Sequence, residues 1–239
     1  DLTTLSGEEM RRIRPRLQMI FQDPISSLNP RRTVTEIIAE GLRVWGENDS
    51  WTMDKINELM ESVGIDPRYG ERKPHQFSGG QCQRISIARA LVLDPKVIIC
   101  DEPVSALDVS VQAQVVDLLI ELQKEFGLAM IFISHDLAVV RQISHRVMVL
   151  YLGRVVELAG RTTIYSDARH PYTKALIAAV PNADPKSERS REKLKLSGDL
   201  PSPLDSRAAL RFLKSKLVDD ADAEQYQPKL VEVTPGHLV

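Results

Sequence analysis

The fold of this chain is decided by Val97-Ile98-Ile99-Cys100-Asp101-Glu102, an apolar run of four residues that ends in two consecutive carboxylates. A second apolar run follows at residues 128–133. The segment between the two runs has the apolar spacing of a helix, at Val111, Val115, Leu118, Leu119 and Leu122. Short apolar runs joined by a helix are typical of buried parallel strands in a β-α-β unit. The sequence therefore predicts an α/β fold with a parallel-sheet core.

Length and composition limit the classes of protein to consider. The 239 residues suit one large domain or a domain with an appendage, and a hydrophobic content of 43% is enough for a sizeable core. The net charge is −2, so no overall field draws the chain to nucleic acid or anionic lipid. Cys82 and Cys100 fall in a predicted helix and strand rather than in a disulfide framework, which fits a reducing cytoplasm.

A glycine turn precedes the first of these strands. Ser78, Gly79, Gly80 and Gln81 open a predicted helix whose apolar face continues to residue 92. A helix start offers unpaired N–H groups and a partial positive charge, and two glycines let an anion approach the backbone closely. The turn therefore favours a phosphate ligand. Taken alone, it fits an ordinary serine-capped helix about as well.

Asp101 and Glu102 are expected at the carboxyl edge of the sheet, where α/β folds bind ligands. There Asp101 can hold Mg²⁺, usually through water. Glu102 can orient or deprotonate an attacking water molecule. A solvated strand end is the alternative for this pair.

Two further polar residues follow predicted strands. His135 comes after the run at 128–133, so its imidazole emerges at the same edge and can donate to a γ-phosphate. Gln22 follows a short strand that begins at Leu17, and its amide can serve a metal, a water or a moving loop. Each residue is weak evidence alone, because lone histidines and loop glutamines are common on surfaces. Together with the carboxylates they predict a nucleotide hydrolysis site.

In this order and context, Gln22, residues 78–81, Asp101-Glu102, residues 105–108 and His135 resemble the ATPase domain of ABC transporters. More narrowly, three groups of residues resemble the ATPase subunits of bacterial oligopeptide and dipeptide importers, namely 21–24 with 27–30, 101–108 and 170–176. The resemblance implies a P-loop NTPase-like ABC ATPase domain over residues 1–181, a helical subdomain at about 30–93, and a C-terminal extension over 182–239.

The same resemblance implies ATP and Mg²⁺ as cofactors and a head-to-tail pair of ATPase domains that closes around two ATP molecules. The turn at Ser78–Gln81 of one domain would act on the ATP held by the other, and Asp108 would cross the dimer interface. Gln22 would sense Mg²⁺ and the attacking water, and His135 would contact the γ-phosphate. Glu102 and Asp101 keep the roles given above.

The implied partners are a second ABC ATPase subunit, identical or paralogous, and two membrane-spanning permease subunits. An extracytoplasmic solute-binding protein would act indirectly. These partners place the chain peripherally at the cytoplasmic face of the inner or plasma membrane. No nucleic-acid partner is expected, because the basic cluster at Arg11–Arg16 is short and lacks interleaved aromatic residues. The transported solute is not encoded in these motifs.

The sequence departs from the family in one central respect, since it contains no G-x-x-x-x-G-K-[ST] phosphate loop. In the family that loop lies upstream of the segment that residue 1 resembles. We therefore expect an N-terminal truncation, a chain that is inactive by itself, and a core that is partly uncovered. Two alternatives stay open: a noncatalytic partner that donates residues 78–81 to another subunit's ATP, and a soluble ABC protein acting on DNA or ribosomes.

The tail is the second departure. The family's C-terminal extension commonly carries cysteines suited to a metal cluster, whereas residues 182–239 contain none. We expect no cluster there. A charged amphipathic segment around Leu210, Leu213 and Leu217 instead predicts a partly helical appendage that packs on its own domain.

Overall fold

The computed structural model describes residues 1–45, 51–180 and 229–239. They divide into two compact units, residues 1–139 and 140–239. The helices are α1 (Gly7–Ile13), α2 (Pro24–Ser27), α3 (Val34–Ile38), α4 (Glu40–Trp45), α5 (Trp51–Ser62), α6 (Gly79–Leu91), α7 (Val109–Glu125), α8 (Leu137–Ile143), α9 (Arg161–Ser166) and α10 (Pro171–Ala179). The strands are β1 (Leu17–Ile20), β2 (Val97–Asp101), β3 (Ala129–Ile133), β4 (Arg146–Tyr151), β5 (Arg154–Gly160), β6 (Glu232–Thr234) and β7 (His237–Leu238).

The first unit is built on a parallel sheet in the order β1-β2-β3. Leu17 of β1 is in register with Val97, and Val97 is in register with Ala129 of β3. The long helix α7 connects β2 to β3 and buries its apolar face, including Val115 and Leu119. This confirms the predicted β-α-β unit and brings the carboxyl ends of all three strands to one edge.

The prediction that both apolar runs are fully buried is wrong for β3. Its side chains at Ile131 and Ile133 are 52% and 47% exposed. In the described part of the chain β3 pairs with β2 alone, so it is an edge strand, and the side chains at its odd positions lie on an uncovered face. By contrast, Ile98 and Cys100 of the central strand are buried.

Helices α3 to α6 supply the rest of the first unit's core. The apolar spacing of Val34, Ile37, Ile38 and Leu42 predicts a helix. This stretch divides at Ala39 into α3 and α4, and both of its ends are fully buried. In α6 the predicted inward residues Ile85 and Ala88 are buried as well. A separate helical subdomain at about 30–93 stays a prediction, because these helices fall within the same compact unit as the sheet.

The second unit contains an antiparallel sheet in the order β4-β5-β7-β6. The apolar runs at 147–152 and 155–158, with Gly153 between them, predict a hairpin, and the pairing of β4 with β5 confirms it. Leu152 and Gly153 connect these strands with φ values of 48° and 77°. Two successive positive φ angles are typical of the type I′ turn, whose twist matches that of the strands it joins.

The tail is described only in part. The predicted linker after Pro181, the stretch 200–203 and the amphipathic segment at 210–217 lie outside the described residues. Residues 229–239 form the β6–β7 hairpin rather than a helix, and β7 pairs with β5. Within the described ranges, no helix has both the length and the apolar content needed to cross a membrane.

Candidate functional site

His135 and Glu102 lie at the same edge of the sheet, as predicted, and Gln22, predicted to follow a strand, joins them there. Gln22 follows β1, Glu102 follows β2 and His135 follows β3. The amide Nε2 of Gln22 donates to Glu102 Oε2 at 2.9 Å. His135 Nδ1 lies 3.3 Å from the other carboxylate oxygen, Oε1. One carboxylate is therefore held from both sides by residues far away in the sequence.

The backbone also fixes Glu102. Its φ is +43°, a region that side chains other than glycine seldom occupy, and such strain persists only where the surroundings hold it. The Glu102 amide donates to the carbonyl of Ile133 at 3.0 Å, and its own carbonyl accepts from the Ser105 amide and hydroxyl. The carboxylate is 27% exposed, so water can reach a group whose orientation is set in advance. That arrangement suits a general base.

His135 lies on the solvent-exposed side of this cluster. Its side chain is 73% exposed. A proton on Nδ1 would be donated to Glu102, and contact with a phosphate oxygen would require an N–H at Nε2 as well. The loop that carries it is fixed by Asp136, whose Oδ1 accepts from the amide of Ala138 at 2.8 Å at the start of α8.

Asp101 is the last residue of β2, in register with Ile133, and it is half-buried. No group of three or more metal-binding side chains occurs among the residues described. Mg²⁺ rarely needs such a cage, because it commonly takes one or two carboxylates together with substrate phosphates and water. The carboxylate of Asp101 and the amide oxygen of Gln22, whose nitrogen is committed to Glu102, fit a magnesium–nucleotide ligand of that kind.

The glycine turn forms the predicted helix start. The Ser78 hydroxyl accepts from the Gln81 amide at 3.3 Å, and Gln81 Oε1 accepts from the Ser78 amide at 3.0 Å. This reciprocal capping box begins α6. In the part of the chain that the structure describes, no hydrogen bond or ion pair joins residues 78–81 to the Gln22–Glu102–His135 cluster. The turn thus makes no direct polar contact with the Glu102 carboxylate.

The loop at residues 105–108 runs between these two features. A Cβ placed on Gly79 would meet Leu107 at 3.7 Å, and one placed on Gly80 would meet Val111 of α7 at 2.5 Å. The start of α6 therefore lies directly against the start of α7. Asp108 occupies the N-cap position of α7, is exposed, and makes no side-chain capping bond.

Sequence reasoning missed Arg89, which connects α6 with the segment after Gln22. Its guanidinium donates to the Ser27 carbonyl at 2.6 Å and lies 5.8 Å from the centre of the Phe21 ring. Burial lowers the pKa of Arg89, while the charge of Glu40 opposes that shift. The sequence hint for this role was a charged residue on the apolar part of a predicted helix, where Arg89 stands between Ala88 and Ala90, both of which are buried.

The cysteines lie outside this chemistry. Cys82 and Cys100 are buried and free, which confirms that they form no disulfide with each other. Burial raises the pKa of both thiols, that of Cys100 to about 12. Neither is a reactive thiolate at neutral pH.

Comparison with known proteins assigns the chain to a family. Residues 1–105 match the ABC transporter family, and residues 156–208 match the C-terminal region of oligopeptide/dipeptide transporters. The oligopeptide transport ATP-binding protein OppF of Haemophilus influenzae is 51% identical over 236 residues, which make up 98% of this chain and 71% of that protein. The chain belongs to the ABC transporter ATP-binding family. Members of this family are ATPases, and the expected oligopeptide/dipeptide type is confirmed.

Other relatives support the same assignment. OppF of Salmonella typhimurium is 52% identical over 232 residues, 96% of this chain and 70% of that protein. OppF of Escherichia coli is 55% identical over 214 residues, 89% of this chain, and the match covers 64% of that protein. A solved ABC protein, cbiO1 from Clostridium perfringens, superposes with a TM-score of 0.62 at 27% identity, covering 72% of this chain and 67% of its own. The ABC ATPase fold is thereby confirmed.

Proposed function

We propose that this chain binds and hydrolyses ATP to energise an ABC importer for oligopeptides or dipeptides. The observation that carries the proposal is the Glu102 carboxylate, held by Gln22 and His135 at the carboxyl edge of a parallel sheet. The names of the relatives, oligopeptide transport ATP-binding proteins and putative peptide import ATP-binding proteins, support the substrate class.

Each residue of the edge cluster has a distinct proposed task. Glu102 accepts a proton from the attacking water, because its two oxygens are already oriented by neighbours. Gln22 turns its amide oxygen toward Mg²⁺ and the water, and Asp101 holds Mg²⁺ through water. His135 uses the nitrogen that does not face Glu102 to contact the γ-phosphate. Magnesium neutralises phosphate charge during the transfer.

The glycine turn serves a second ATPase subunit. We infer that Ser78, Gly79, Gly80 and Gln81 bind the phosphates of ATP held by the partner, and that Asp108 lies at the dimer interface. The separation of this turn from the Glu102 cluster within one chain supports an action in trans. The other proposed partners are two permease subunits, with a solute-binding protein acting through them, so the chain works at the cytoplasmic face of the membrane.

The test replaces Glu102 by Gln in the complete gene product. Glutamine keeps the shape and the hydrogen bond from Gln22 but cannot take a proton, so ATP binding stays within about twofold while turnover falls by roughly 10²–10⁴-fold. Glu125→Gln, at an exposed site on α7, is the matched control and keeps full turnover. Undiminished hydrolysis in Glu102→Gln would remove Glu102 from the role of base.

A further inference from the structure

Residues 229–239 form the β6–β7 hairpin, which pairs with β5 through β7. Pro235 and Gly236 lie between β6 and β7, and Gly236 has a φ of +76°, which suits the third position of a type II turn. The Gly236 amide donates to Glu232 Oε1 at 2.7 Å. Val231 and Val239 exchange two backbone hydrogen bonds of 2.8 and 3.0 Å across the hairpin. This local geometry fixes His237 at the start of β7.

A buried carboxylate lies where His237 arrives. Glu157 of β5 has no exposed surface. Its Oε1 accepts from the Arg169 amide at 2.7 Å, and its Oε2 accepts from the His170 amide at 3.1 Å. The buried Thr173 hydroxyl lies close to the carboxylate, outside ordinary hydrogen-bond geometry. An isolated buried charge is costly, so this pocket requires donors.

His237 completes the set of donors. Its side chain is 2% exposed, and Nε2 lies 2.7 Å from Glu157 Oε1. Its other nitrogen, Nδ1, is buried without a hydrogen-bond partner among the described residues. A proton on Nδ1 would leave a buried N–H unpaired, whereas a proton on Nε2 is used by the carboxylate. The geometry therefore favours Nε2 as the nitrogen that donates to Glu157.

The ionisation of Glu157 agrees with this assignment. Burial alone raises the pKa of the carboxyl group, but the donors around it outweigh burial. The pKa is lowered by the nearby Thr173 hydroxyl, the Arg169 amide, the His237 imidazole and the His170 amide, and it lies below its ordinary value. Glu157 is therefore a carboxylate at neutral pH. Among the described side chains, the His237 imidazole is the one in direct hydrogen-bond contact with it.

We propose that the contact between the buried Glu157 carboxylate and the His237 imidazole anchors the β6–β7 hairpin on β5. β5 and α10 supply the pocket, and the β6–β7 hairpin supplies its ligand. The hairpin joins the sheet of this unit through β7, which pairs with β5.

The test measures hydrogen exchange of the tail amides of Val231 and Val239 in the full-length protein. His237→Gln can place an amide N–H close to the position of Nε2 and retains protection within about threefold. His237→Asn, whose amide is nearer the position of Nδ1, and His237→Ala both accelerate exchange by at least about tenfold. Glu157→Gln also accelerates tail exchange, because the glutamine NH₂ group is a donor and would face the backbone N–H groups that donate to the carboxylate.

Two controls separate anchoring from a general loss of stability. His145→Ala removes an exposed imidazole from the same unit and leaves tail exchange unchanged. The Lys174 amide of α10 reports on the body of the unit and keeps its protection in His237→Asn. The proposal is overturned if tail exchange in His237→Asn and His237→Ala stays within about twofold of the unmodified protein. It is also overturned if His237→Gln is as fast as His237→Asn.

Discussion

Replacing Gly80 by Ala tests how tightly α6 and α7 pack beside the proposed phosphate turn. The added Cβ would lie 2.5 Å from Val111 Cγ1, whereas carbon atoms in contact are normally about 3.5–4.0 Å apart. Val111 is in a helix, where a valine has one strongly preferred rotamer, so it cannot turn away freely. The overlap of about 1 Å must move one helix against the other.

The size of the effect follows from two opposing contributions. Overpacking costs about 1–3 kcal/mol, and the lower conformational entropy of unfolded alanine returns up to about 1 kcal/mol. We expect Gly80→Ala to lower the free energy of unfolding by about 1–2 kcal/mol. Gly79→Ala is the matched control, because its Cβ would meet Leu107 at an ordinary 3.7 Å and receives the same entropic gain. The difference between the two variants isolates the overlap.

The assay is equilibrium urea unfolding, combined with a double-mutant cycle. Val111→Ala removes the clashing methyl group, so Gly80→Ala should cost less in that background, with a favourable coupling of about 1–3 kcal/mol. If Gly80→Ala proved as stable as Gly79→Ala, the 2.5 Å approach of the added Cβ to Val111 would not be destabilising, and the reasoning would be refuted. Absence of coupling with Val111→Ala would likewise contradict the proposed contact between the helices.

Three further outcomes are expected. Ser78→Ala removes the capping box of α6 and lowers the free energy of unfolding by about 1 kcal/mol in urea titrations. Ser78→Asp retains the cap, so an equal loss of stability in both variants would refute the capping role. Arg89→Met leaves the Ser27 carbonyl without its donor and lowers the melting temperature, an effect that Arg68→Met, at an exposed site, should not produce. Glu157 has a lowered pKa, so its stabilisation is complete above the ordinary value of 4.5 and is lost as the pH falls through the folded value. The protection of the tail amides, measured against their intrinsic exchange rate at each pH, should therefore fall in acid, and a similar pH profile in Glu157→Gln would contradict this origin.

Local rules explain what the sequence could predict. Ser78 and Gln81 are three residues apart, the spacing of a capping box, so the start of α6 could be located from the sequence. The apolar run at 97–100 likewise indicated the central strand. Because parallel strands share a carboxyl edge, the proximity of Glu102 and His135 could be predicted from the β-α-β unit, whereas the place of Gln22 beside them depends on the pairing of β1 with β2.

Long-range pairing explains most of what was missed. Glu157 and His237 are 80 residues apart, and neither lies in a pattern that points to the other. Arg89 and Ser27 are 62 residues apart, and a main-chain acceptor leaves no mark in the sequence. The exposure of Ile131 was missed for a different reason, because an apolar run indicates a strand but not whether its faces are covered.

The capping box at the start of α6 decides which donors remain for a ligand. It occupies the amides of Ser78 and Gln81, and among the described residues the amides of Gly79 and Gly80 have no hydrogen-bond acceptor. Both belong to the main chain and remain with any replacement other than proline. Substitutions of Gly79 or Gly80 should therefore weaken recognition by moving the backbone or blocking access to it, rather than by removing a donor.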